Sequence, residues 1–178
     1  YEWGTKEQGS FRFTGTDFKQ FQNKEIELSQ EFYIETIDDL KIEPERLRNV
    51  SLELEEKDVT AGKEVLGSLL WPAINTGPLF AARVSILHSH CRLGARMTVA
   101  QDIAKLLKEA RKNKHQFKLK FVRMDEVKHW RDFRTVGFGD AGMNNRPGNG
   151  STGGALGAMA PKRVADGETV PMNLISWR

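Results

Sequence analysis

Hydrophobic and polar positions change period several times along the chain, and each change marks an element. Phe11 and Phe13 alternate with Arg12 and Thr14, Gly15 follows, and after residues 22–23 Ile26 and Leu28 alternate again, which predicts a β-hairpin. Ser29 then suits a helix N-cap and Glu31 a first turn, with Tyr33, Ile37 and Leu40 recurring at i, i+4, i+7 as the buried face. Residues 41–58 are charged, contain Pro44 and lack an apolar period, so they read as a linker. Thr60 opens a second helix in which Val65, Leu66, Leu69, Leu70 and Ala73 form a wide apolar face, and Pro72 is expected to kink or end it. A third helix is predicted over 79–90, burying Phe80, Val84 and Leu87. A fourth is capped by Thr98, with Val99, Ile103, Leu106 and Ala110 on one side.

Period two returns at Phe117, Leu119 and Phe121, alternating with Lys118 and Lys120. Val136 and Phe138 then alternate with Gly137 and Gly139, so a strand is expected to end by presenting Asp140 among small neighbours. An Asn-, Pro- and Gly-rich turn, a short apolar segment over 154–160, a further turn and a strand over 170–177 complete a three-stranded antiparallel meander. The predicted fold class is α+β: a β-hairpin and a helical bundle followed by three antiparallel strands.

Composition narrows this picture only in part. The chain has 178 residues, 39% hydrophobic and 29% charged, enough for one good core or two small ones. Its longest apolar run, within 67–73, is far shorter than a membrane span, and the N-terminus lacks the apolar centre of a signal peptide, so no membrane partner and an intracellular location are expected. A single cysteine, Cys91, agrees with a reducing compartment. The net charge of +3 decides little, but residues 105–120 carry many Lys and Arg and no acid except Glu109.

That stripe is the first candidate site. Lys105, Lys108 and Lys112, continued by Arg111, Lys114, Lys118 and Lys120, suit the backbone of a nucleic acid, with a solvated helix face as the plain alternative. Asp140 is the candidate carboxylate, against an ordinary turn aspartate before glycine. Asp38 and Asp39 lie late in a predicted helix and read as a solvated face. His88, His90 and Cys91 lack the second half of a zinc site, and the glycines of 146–154 lack the Gly-Lys-Ser/Thr of a phosphate loop.

Several motifs occur in a suggestive order: FTG at 13–15, ELSQ at 27–30, GSLLW at 67–71, TGPL at 76–79, GDAG at 139–142, STGG at 151–154 and ISWR at 175–178. In this order the sequence resembles the copia-type retrotransposon polyprotein, from the end of the reverse transcriptase palm through thumb and connection to the start of the ribonuclease H domain. It departs from that pattern at Gly77 and Leu79, where the family has Arg and Asp, and at Gly139 and Gly142, where it often has Ser and a second Asp or a bulky residue. The resemblance implies domains over 1–40 (palm end, primer-grip hairpin and first thumb helix), 59–115 (helical thumb and connection) and 116–178 (truncated ribonuclease H-like sheet), joined by the linker 41–58. Phe13, Thr14 and Gly15 then fall in the hairpin that holds the growing DNA end, where glycine admits a close nucleic-acid backbone and Arg12, Lys19 and Lys24 suit phosphates.

Asp140 becomes a catalytic and metal-binding carboxylate, one ligand of a two-ion Mg²⁺ or Mn²⁺ site for phosphodiester hydrolysis. One carboxylate does not hold two ions, so stable metal binding by this chain alone is not expected. Further partners are implied: an RNA–DNA hybrid or template-primer, and polyprotein segments upstream and downstream, in a cytoplasmic particle or the nucleus. The absence of an initiator Met at Tyr1 fits the interior of a longer product. The parent would be an RNA-directed DNA polymerase and ribonuclease H. Two other readings stay open at this point: a non-catalytic α+β nucleic-acid-binding or adaptor protein, and an unrelated hydrolase centred on Asp140.

Overall fold

The computed structural model describes residues 9–148 and 150–177. Strands β1 (Ser10–Phe13), β2 (Thr16–Gln20) and β3 (Ile26–Ser29) form an antiparallel meander, as the alternation predicts, and β4 (Lys118–Phe121) returns after the helices to pair with β3. The resulting sheet has the order β1-β2-β3-β4. The strand at 118–121 therefore belongs with the N-terminal hairpin and not with the C-terminal strands, which corrects the boundary expected at 116. Ile26 pairs with Phe121 and Leu28 with Leu119, so apolar residues from distant parts of the sequence share one face.

Five helices follow β3 and precede β4 among the described residues: α1 (Glu31–Thr36), α2 (Pro44–Arg48), α3 (Glu56–Asn75), α4 (Pro78–His90) and α5 (Thr98–Lys112). Helix α1 is shorter than the periodicity suggests. It stops at Thr36, Ile37 turns extended at ψ 127°, and Ile34, outside the expected stripe, is the side chain fully buried within it. Helix α5 follows its predicted stripe closely, adding Ala100 and Leu107 to the buried set, although Thr98 begins the helix without a side-chain cap.

The supposed linker 41–58 is packed rather than loose. It holds α2 and the first turn of α3. Leu54 is 2% exposed, and backbone bonds tie it to the loop before α5: Leu54 N–H to Ala95 O at 2.7 Å and Met97 N–H to Leu52 O at 2.8 Å. Its charged residues organise the segment. Arg46 donates through Nε and Nη2 to the Asp58 carboxylate at 2.9 and 2.6 Å, and the same carboxylate accepts the Glu55 N–H at 2.9 Å, closing the start of α3 four residues before the expected Thr60. The Arg46 guanidinium and the Glu55 N–H hold Asp58 below the usual carboxylate range against the opposing effect of burial.

Helix α3 also runs through Pro72 to Asn75. The proline removes one donor near the C-terminal end, and its own carbonyl accepts the N–H groups of Thr76 and Gly77, both at 2.9 Å, where the helix stops. Leu66, Leu69, Val84, Met97, Ile103, Leu106 and Phe117 meet in one hydrophobic core beside the first sheet.

The second sheet consists of β5 (Phe133–Arg146), β6 (Gly150–Pro161) and β7 (Asn173–Trp177) in the order β5-β6-β7, the meander the sequence predicts. Two side chains of β7 hydrogen-bond it to the rest among the described residues. Trp177 donates its indole N–H to Ala73 O at 2.8 Å, and the Asn173 side chain accepts from Val122 N–H at 2.8 Å while donating to Val122 O at 3.0 Å. No helix among the described residues is long and apolar enough to cross a membrane.

Candidate functional site

Asp140 does not end a strand. It sits within β5, paired with Gly154 of β6, and the strand continues to Arg146. The cross-strand pairs Phe138–Leu156 and Leu156–Trp177 put these three apolar side chains on the sheet face that Asp140 shares. That face looks across a groove of about 310 Å³ to Pro78, Ala81 and Ala82 in the first turns of α4. The Asp140 carboxylate is exposed. It accepts the Ala141 N–H at 2.8 Å and has no cationic partner among the described residues.

The donor set does not fit a two-ion centre. No group of three or more His, Cys, Asp or Glu among the described residues is arranged to hold a metal ion, so Asp140 is not part of such a cluster. His88, His90 and Cys91 form no cluster either. The His90 ring lies 2.8 Å from Ile86 O, whereas the Cys91 thiol is buried, 3.7 Å from Val59 O, with its pKa raised by burial.

Phe13, Thr14 and Gly15 lie together at the tip of β1 and β2. Phe13 pairs with Thr16, leaving Thr14 (φ 47°) and Gly15 (φ 75°) as a two-residue turn with both central residues left-handed. Phe13 is 63% exposed. Gly15 has an internal reason to lack a side chain: a Cβ there would lie 3.2 Å from Cδ2 of Tyr33. Arg12 is occupied, donating to both Asp17 oxygens at 2.6 and 3.0 Å and lying 4.2 Å over the Phe32 ring. Lys19 lies over the Phe21 ring at 4.9 Å.

The basic stripe is largely neutralised. Lys105 pairs with Asp102 at 3.1 Å, Lys118 with Glu31 at 3.0 Å and Lys120 with Glu25 at 2.7 Å; Lys114 pairs with Glu35 and Arg111 with Asp39. Lys108 and Lys112 have no ion pair among the described residues and are exposed on α5. Asp38 and Asp39 lie beyond the end of α1 rather than within it, and each is committed, Asp38 to Lys41 at 3.0 Å. Sequence reasoning missed the long-range pairings because the partners are distant: Arg111 and Asp39 are 72 positions apart. It also missed the groove, whose advance signal is the coincidence of small residues at 81–82 and 154–155 with aromatic ones at 138 and 177.

Comparison with known proteins adds no identification: no family model, curated protein or solved structure matches the chain.

Proposed function

We propose that the chain is part of a copia-type reverse transcriptase and ribonuclease H polyprotein and contributes binding of an RNA–DNA hybrid during RNA-directed DNA synthesis. What carries this reading is collinear order. The FTG, ELSQ, GSLLW, TGPL, GDAG, STGG and ISWR motifs follow one another as the resemblance requires, along a hairpin, a helical bundle and an antiparallel meander. On this reading Phe13 and its turn meet the primer end, while Lys108 and Lys112, with Lys105 beside them on α5, follow the backbone. Asp140 is one ligand of a Mg²⁺ or Mn²⁺ site that needs further carboxylates from outside this chain. Such a pair of ions would supply water activation and leaving-group stabilisation in phosphodiester hydrolysis; this chain alone contributes contact and position.

The pairing of most stripe cations favours a second reading, a non-catalytic α+β nucleic-acid-binding or adaptor protein with at most two free lysines on that helix face. Titration of a labelled RNA–DNA hybrid at several salt concentrations separates the two. Hybrid binding is expected to weaken with salt, and Lys108→Gln and Lys112→Gln each to lower the log–log salt slope by about one, because each removes a single phosphate contact. Affinity that ignores both substitutions counts against the hybrid reading. With Mg²⁺ present, the chain is expected to leave the hybrid intact; cleavage abolished by Asp140→Asn would instead support a hydrolase complete in this chain.

A further inference from the structure

The groove between α4 and the second sheet is built from two dissimilar walls. On one side Pro78, Ala81 and Ala82 stop short because their side chains are small; on the other Phe138, Leu156 and Trp177 supply apolar surface. The Trp177 ring is held in place by its indole bond to Ala73 O, so this wall is set before anything binds. The volume of about 310 Å³ falls at the lower end of the roughly 300–1,000 Å³ typical of small-molecule pockets. Asp140 supplies the only formal charge in the lining, and its carboxylate is not neutralised by any described cation. Phe138 remains 57% exposed although it lines the groove, and its neighbour across the strand, Leu156, is also exposed.

An apolar slot with aromatic walls and one carboxylate that has no cationic partner among the described residues is complementary to a ligand with a flat apolar body and a single positive end. Rings attract a cation through their faces, and the carboxylate fixes which end enters. An anion would meet like charge, and a neutral apolar ligand would leave the carboxylate unused. We propose that this groove binds a small organic monocation of the arylamidine or arylalkylamine class, with its charged group on Asp140 and its body between Trp177, Phe138 and Ala82. The groove shares Asp140 with the metal site of the proposed function, but the hybrid contacts of that reading lie on α5 and the β1–β2 turn, so the two readings fail separately.

The test titrates the full chain separately with benzamidine and with its neutral isostere benzamide. Two-dimensional ¹⁵N NMR follows the Trp177 indole N–H and the amides of Ala82, Gly139 and Gly154. Benzamidine is expected to shift these signals saturably and to bind about three- to tenfold more tightly than benzamide at low salt, the margin of one weakly screened ion pair. Asp140→Asn should abolish that margin while leaving benzamide binding unchanged. Ala82→Trp, which fills the groove from an exposed helix position, should remove both responses; should that variant misfold by circular dichroism, Phe138→Ala replaces it and should weaken both ligands. Equal affinity for the two probes, a margin that survives Asp140→Asn, or shifts that persist when the groove is filled or its wall removed would overturn the proposal.

Discussion

At the scale of single residues, the most constrained glycine is Gly77. Its backbone is ordinary (φ −120°), but a Cβ would fall 2.4 Å from Cδ1 and 2.6 Å from Cε1 of Phe117, a ring that is fully buried and stacked on Phe80 at 4.5 Å. The position where the copia pattern has Arg thus admits no side chain here. Gly77→Ala is expected to lower the stability by about 1–3 kcal/mol through overpacking, measured as a fall in the urea midpoint. The Asp58 carboxylate is the other decisive residue. Its pKa is lowered in the folded state, so the unfolded chain binds its proton first, and its stabilising contribution is present above the unfolded value of about 3.9. That contribution is lost as pH falls through the lower folded value. Urea midpoints of the wild type and Asp58→Asn should therefore differ at neutral pH and converge in acid; a gap that stays constant to pH 2 would mean the Arg46 pair does not stabilise the fold.

At the scale of elements, period was readable along a long helix with one face on the core, as in α5, where Ile103, Leu106 and Ala110 are all fully buried. It failed where polar residues do the organising. Residues 41–58 look unstructured because their stabilisation comes from the Arg46–Asp58 pair and from backbone bonds to residues 95–97, neither of which has an apolar period. β4 looked like the start of the C-terminal sheet because a single strand's alternation does not name its neighbour; only the register with β3 does. Asp140 looked terminal because glycines mark turns more often than they continue strands, yet β6 carries glycines too and accepts them.

Across the whole molecule, the side-chain hydrogen bonds between the two sheets pass through one amide. Asn173 satisfies both the N–H and the C=O of Val122, and Trp177 makes the only other side-chain hydrogen bond from β7 to the helical part among the described residues. Asn173→Ala leaves those two groups of the Val122 backbone without their partner and is expected to loosen the second sheet against the first while the core around Phe117 stays intact. Hydrogen exchange should then quicken over β5–β7 with little change in α3 and α5; uniform loss of protection would instead mean that the two sheets unfold as one cooperative unit.

The sequence by itself determined the first hairpin, the apolar stripes of α3 and α5, the C-terminal meander and the separation of Asp140 from any second carboxylate in its local segment. Those features depend on neighbours a few positions away, and periodicity records them directly. Tertiary structure alone decided that β4 closes the first sheet, that the lysines of the basic run are mostly paired, and that small residues on α4 stand opposite aromatic ones on β5 and β7. Apart from the local Lys105–Asp102 pair, these join positions dozens of residues apart, where hydrogen-bond register, ion pairing and volume are set by packing rather than by local pattern.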